Sequence, residues 1–404
     1  MAFFEFLIAL LLGVLAGIFT GLTPGIHINL VSLLVVSSSA YLLDIVSLPS
    51  LGVFIISMAI THTFLDILPA IFLGAPNEAT ALGVLPGHKL LLQGMGYEAV
   101  KLTVIGSLSS LILAILLFPL LIIIFPLIYE DIRPYIGFIL IAVVIYMILI
   151  EKGLDKKFWA FVVFLISGIL GILTLTMPNL KQPLFPLLSG LFGLSMLIVS
   201  LSQKVEIPKQ RITENIILSK FQSTKSILAG TFSGSIVSFF PGMGPAQAAV
   251  IGSNIFGSLG AYSFLILIGS IGTVDMVVSL VTLYTLDRAR NGAVFAIKEL
   301  LTSIDFSTLI LFIGTALLAG GIATFLVLYL ARIFARLIEK VNYSILCLSV
   351  ILLVSILVFY FSSWLGLSIL IISTAIGIIP NIVDVKRSHS MGCLMLPVIL
   401  FFVL

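Results

Sequence analysis

Apolar residues run in long blocks along nearly the whole chain, at roughly 2–23, 26–43, 48–74, 99–128, 132–150, 158–177, 184–201, 226–257 (interrupted), 259–286, 304–330, 341–361, 363–382 and 390–404. A block of about 18 or more such residues, wound as a helix, crosses a hydrocarbon core about 30 Å thick. The blocks lack the period-2 alternation of a barrel strand, and backbone groups in lipid must be satisfied within their own segment, so helices are predicted. The predicted fold class is an all-α polytopic membrane protein of about 10–14 transmembrane or re-entrant helical segments, in the cell membrane. The first block, Ala2 to Leu22, has neither a basic n-region nor a small-residue cleavage site and reads as a retained span.

The longest polar stretch, Ser202 to Lys225, carries Lys204, Lys209, Arg211, Lys220 and Lys225 and falls near the midpoint. It predicts a first transmembrane repeat over 1–201, a cytoplasmic linker over 202–225 and a second repeat over 226–404. The linker, the Lys152/Lys156/Lys157 loop, the Lys89–Lys101 region and the Arg332/Arg336/Lys340 stretch are basic, whereas the loops around Asp44, Glu130 to Arg133 and Lys181 are poor in basic residues. Threading the blocks through that alternation puts the second half in the membrane upside down relative to the first. Internal repetition agrees. Gly13-x3-Gly17-x6-Pro24-Gly25 recurs as Gly230-x3-Gly234-x6-Pro241-Gly242 at a constant offset of 217 residues. Each copy is followed by a small, polar stretch, an apolar span with one aspartate (Asp66, Asp275), and an Asn-x-Ala at Asn77 and Asn291.

Composition narrows the function. Sixty per cent of the 404 residues are hydrophobic and 9% charged, with a mean hydropathy of +1.31, beyond what a water-soluble fold can bury. The net charge of +3 is small and confined to short loops, which gives no support for nucleic-acid binding. Cys347 and Cys393 lie in apolar runs away from His or Asp clusters and read as structural. A Gly-x-Ser-x-Gly elbow, a His-Glu-x-x-His motif and a Gly-x4-Gly-Lys-Ser/Thr loop are all missing, and neither intramembrane aspartate follows Gly-x-Gly as in an intramembrane aspartyl protease. The chain reads as a non-enzyme with no metal site or organic cofactor.

Candidate chemistry sits at the two Pro-Gly pairs. Proline removes a backbone donor and glycine admits positive φ, so a helix should break at Pro24-Gly25 and at Pro241-Gly242 and leave unpaired amides and carbonyls at membrane depth. Such breaks offer helix N-termini to anions and carbonyl oxygens to cations. The residues expected to line a substrate site are Pro24, Gly25, His27 and Asn29 in the first half and Pro241, Gly242, Gly244, Pro245 and Gln247 in the second. The segment Phe72 to Gly87 is too broken for a span and too apolar for an ordinary loop, and it predicts a re-entrant element whose Asn77, Glu78 and Thr80 assist. Asp66 and Asp275, each inside an apolar span, are expected to handle a coupling ion, Na+ or H+, and to be copies of one another. His62, one helical turn before Asp66, can pair with it.

The stretches Gly17 to Asn29, Phe72 to Leu85 with Gly94 to Val100, and Gly230 to Asn254 resemble the TctA family, the large membrane subunit of tripartite tricarboxylate transporters. The family's Gly-x3-Gly-x2-Pro-Gly is matched by Gly17 to Gly25, and its Pro-Gly-x-Gly-Pro by Pro241-Gly242-Met243-Gly244-Pro245. The chain departs from the family in being shorter, in reading Ile26-His27-Ile28-Asn29 after the first Pro-Gly, and in blurring later second-half motifs into Asp287 to Lys298. The resemblance implies secondary transport of a small organic anion of the di- or tricarboxylate class, driven by a cation gradient. It also implies help from a small membrane subunit and a binding protein, and a homodimer is a further expectation. The competing expectation is a carrier of a phosphorylated membrane lipid, such as polyprenyl phosphate, whose headgroup would use the same broken helices.

Overall fold

The computed structural model describes residues 2–404 apart from 24–27, 76–79, 179, 181, 203–207, 213–215, 217, 240–243, 258, 302 and 341–342. Among the described residues there is no strand, and seven helices are long and apolar enough to cross a membrane. The chain is an all-helical, multi-pass integral membrane protein.

The first half opens with α1 (Ala2–Leu22), α2 (Ile28–Ser37), the single turn α3 (Ser39–Leu42), α4 (Leu48–Leu65), α5 (Val84–Leu91) and α6 (Gly96–Ile132). It continues through α7 (Ile136–Leu149), α8 (Leu154–Thr176), α9 (Leu184–Leu188) and α10 (Ser195–Ser202). The second half gives α11 (Lys220–Phe239), α12 (Pro245–Ile255), α13 (Ala261–Leu286), α14 (Gly292–Leu301) and α15 (Phe306–Ile338), then α16 (Tyr343–Ile382) and α17 (Gly392–Val403). With the single turn α3 set aside, the succession long, short, long, short, long thus occurs twice, over 2–132 and over 220–338. α16 is two helices joined end to end, because Ser363 takes a left-handed φ of 56° that no regular helix accommodates.

Contact registers give the directions. α1 runs parallel to α4, since side chains built on Gly13, Gly17 and Gly21 would meet Ser57, Thr61 and Leu65 in turn. α11 runs parallel to α13 by the same test, with Gly230 against Ser270 and Gly234 against Val274. α6 is parallel to α13, as Tyr262 bonds Glu98 and Ser107 bonds the Gly269 carbonyl. α15 is parallel to α4, with Phe312 on Gly52 and Gly320 beside Ile60. α6 and α15 are antiparallel, because Arg332 lies over the Tyr97 ring while Gly320 meets Leu111. Hence α1, α4 and α15 point one way and α6, α11 and α13 the other, and the second succession is reversed relative to the first.

The two most enclosed spans are α4 and α13, 89% and 83% buried over their apolar windows, against 17% for α6. Lipid supplies no hydrophobic drive between helices, so close backbone approach carries the packing. A Cβ on Gly106 would lie 2.0 Å from the Ile266 carbonyl oxygen, and one on Gly269 would lie 2.1 Å from that of Thr103. Outside this centre the halves interleave. α8 packs on α17, and α16 packs on the π-turn Ser189–Leu194.

Candidate functional site

α1 stops at Leu22 and α2 starts at Ile28; α11 stops at Phe239 and α12 starts at Pro245. α1 therefore ends just before the first Pro-Gly pair, and α11 and α12 lie on either side of the second. Pro24, Gly25, His27, Pro241 and Gly242 themselves lie outside the described residues, as do Asn77 and Glu78, and so does the Gln247 side chain. Gly244 and Pro245 open α12, with the Gly244 carbonyl accepting from Ala248 N at 3.2 Å. Pro245 stands in the first turn, where its missing N–H costs nothing.

The flanks of the two interruptions meet one segment. α13 is terminated by Asp287 in a left-handed conformation, its N–H bonded to the Thr282 carbonyl. The chain then turns back along α13: Arg288 N approaches Thr282 O at 3.5 Å and Asn291 Nδ2 reaches Met276 Sδ at 3.7 Å. This return places Arg288 and Arg290 against Tyr129 near the end of α6, with their guanidinium carbons 4.8 and 5.5 Å from the ring centroid. Arg288 also donates to the Tyr129 hydroxyl at 2.9 Å. Tyr129 packs edge-on against Phe239, the last residue of α11, at 5.2 Å. At the other end of the segment, Gly292 lies against Asn29, where an added Cβ would sit 2.4 Å from the Asn29 amide. Residues 287–292 thus touch the start of α2 through Gly292 and reach the end of α11 by way of Tyr129.

Asp275 belongs to the same neighbourhood. Its carboxylate accepts from Ser238 Oγ at 2.9 Å, and the Asn291 side chain also hydrogen-bonds to it. Asp66 is held differently. It caps α4, with its own N–H on the His62 carbonyl at 2.9 Å, and its Oδ2 is 3.9 Å from His62 Nε2. His62 Nδ1 in turn meets Thr20 Oγ1 of α1 at 3.1 Å. The expected equivalence of Asp66 and Asp275 does not hold in the packing register. Ser57 corresponds to Ser270 and Thr61 to Val274, an offset of 213 that pairs Asp275 with His62 and Asp66 with Ser279. Sequence matching aligned the two carboxylates; the glycine contacts align a carboxylate with a histidine.

On either side of the undescribed residues 76–79, the flanks of the Phe72–Gly87 segment fold back on one another. The π-turn Pro69–Leu73 and α5 lie side by side, with His88 Nδ1 2.9 Å from the Ile71 carbonyl oxygen and Gly87 against Ile71. Buried Thr80 supplies the carbonyl that accepts from Gly83 N at 2.8 Å, a turn leading into α5 beside Ile268. Thr80 is therefore on the α12–α13 side of the molecule. Sequence reasoning missed Arg288 and Arg290. Their signal was Arg-x-Arg directly before Asn291, between a long apolar block and a short one.

The profile of the tripartite tricarboxylate transporter TctA family matches residues 7–392. An uncharacterized protein of Methanocaldococcus jannaschii is 33% identical over 405 residues, covering 98% of each chain. No solved structure matches. The chain belongs to the tripartite tricarboxylate transporter TctA family.

Proposed function

We propose that this protein is a secondary-active transporter of a small organic anion of the di- or tricarboxylate class, coupled to a Na+ or H+ gradient. In this reading the halves 1–201 and 226–404 are inverted repeats joined by the linker 202–225, and the anion sits where their interrupted helices meet. The single observation that carries it is the returning segment Asp287–Gly292, which sets Arg288 and Arg290 against Tyr129, itself packed on Phe239, and Gly292 against Asn29. Two guanidiniums over one tyrosine, flanked by two carboxamides and the first turn of α14, suit a planar oxyanion. Asp275, one hydrogen bond away through Asn291, is the group that would exchange the coupling cation. A small membrane subunit and a binding protein complete the system in this family, and both are proposed as partners.

The test is uptake of radiolabelled succinate and citrate into proteoliposomes under imposed Na+ or H+ gradients. Gradient-stimulated uptake is expected, and Asp275→Asn should remove the stimulation while leaving ligand-induced thermal stabilisation in place. Translocation of a polyprenyl phosphate with no carboxylate uptake would replace this reading with the lipid-carrier one.

A further inference from the structure

A second basic centre lies away from the returning segment. A cavity of about 470 Å3 opens between the α5 hairpin (Leu82, Pro86), the end of α7 (Tyr146, Ile150), the end of α12 (Asn254) and the turn at Lys386–His389. That volume is in the range of small-ligand sites. Both Lys386 and Arg387 line it.

Arg387 is only 8% exposed. Its guanidinium donates to Ser195 Oγ at 2.6 Å and to the Phe192 and Gly377 carbonyls at 3.4 and 3.5 Å, all neutral acceptors, while its Nε has no partner among the described residues. His389, 1% exposed, also lines the cavity, and its Nδ1 has no hydrogen-bond partner among the described residues. The charges around the cavity are one-sided. Lys386 is exposed and makes no ion pair among the described residues. Lys225 Nζ comes within 4.0 Å of where a side chain on cavity-lining Gly257 would begin. The nearby acids are already engaged: Glu151 with His389 Nε2 at 3.0 Å, and Asp384 with Lys156.

A guanidinium enclosed without a countercharge is costly, and an anion that joins it recovers that cost. We propose that Lys386 and Arg387, supported by Asn254, form an oxyanion-binding site that is separate from the Arg288/Arg290 centre. Arg387 holds one oxygen through its Nε–H, Lys386 neutralises the outer charge, and the apolar wall of Leu82, Tyr146 and Ile150 accepts a short carbon chain. The ligand chemistry is a carboxylate or phosphate group of limited size. It can arrive as a free anion or as an anionic lipid headgroup.

The deciding experiment is calorimetric titration of the full-length protein, in nanodiscs of zwitterionic lipid, with succinate and with inorganic phosphate. Wild type should bind at least one. Lys386→Gln should weaken that binding by about tenfold, and Arg387→Gln by about a hundredfold, the range of lost charge-assisted hydrogen bonds. Lys152→Gln, on the neighbouring loop, should leave it unchanged. Arg387 also ties the turn to α10 and α16, so its variant can fail to fold; Lys386→Gln decides in that case. Equal affinity in wild type and Lys386→Gln overturns the site even where uptake assays support transport. Failure of wild type to bind either probe also overturns it for free anions. In that case Lys386-dependent stabilisation on adding anionic lipid to the nanodiscs retains the site for a headgroup, and no stabilisation removes it altogether.

Discussion

Asp305 opens α15 as its N-cap: Oδ1 accepts from Thr308 N at 2.9 Å and Oδ2 from Ser307 Oγ at 2.6 Å. These bonds hold the carboxyl at a pKa of about 2, below the ordinary value of about 3.9. A carboxylate whose folded pKa is depressed contributes stability above its unfolded pKa and loses that contribution as pH falls through the folded one. The melting temperature of wild type should therefore exceed that of Asp305→Ala at pH about 6, and the gap should narrow between pH about 4 and about 2. A gap independent of pH would mean the cap works through shape and not charge. Asp275 shows the opposite use of a carboxylate, turned inward among Ser238 and Asn291. Residue type alone made Asp66 and Asp275 look alike; the register of small residues around them separates their surroundings.

Helix boundaries were largely legible. The apolar blocks 341–361 and 363–382 part where Ser363 breaks α16, because Ser362-Ser363 is a polar pair in an otherwise continuous apolar run. The interruptions near residues 24 and 241 were legible for a local reason, the chemistry of proline and glycine. The block 26–43 was not: it yields only α2 and the turn α3, since Ser37, Ser38 and Ser39 interrupt it. The return of 287–291 along α13 was also hidden, because contacts with Tyr129, 159 residues distant for Arg288, position it. Helix-to-helix contacts follow the glycines and give a prediction. Gly106→Ala should destabilise the protein by about 1–3 kcal/mol, since its Cβ would collide with a backbone carbonyl that cannot move aside. Gly314→Ala on α15, with nothing within 4 Å of its Cβ, should instead raise stability by up to about 1 kcal/mol through helix propensity. Thermal melts of the two variants in one detergent make the comparison, and equal melting temperatures would contradict the α6–α13 approach.

At the scale of the whole molecule, the halves are joined by more than their packing. Gln210, in the linker, is 6% exposed. Its side-chain oxygen accepts from Gly96 N at 2.9 Å and its amide donates to the Leu91 carbonyl at 3.0 Å, both at the α5–α6 junction of the first half. Its own backbone N–H donates to Glu339 of the second half at 2.6 Å. The neighbouring Arg211 N donates to Gly94 O at 2.8 Å, and Gly94, at φ +78°, leaves room for the linker where a Cβ would strike the Lys209 carbonyl at 2.7 Å. Residues 208–211 are thus a strap bonded to elements on both sides of them in the chain. Gln210→Ala removes the acceptor of a buried amide, which should cost about 1–3 kcal/mol, whereas exposed Lys209→Ala should cost nothing measurable. Hydrogen exchange read over residues 91–98 distinguishes the two possibilities. Faster exchange there in Gln210→Ala, with α13 protected as in wild type, is the expected result and would locate the strap's effect at the junction. Unchanged exchange at 91–98 would show that the α5–α6 turn is held by its own helix contacts, and that residues 208–211 merely rest on it.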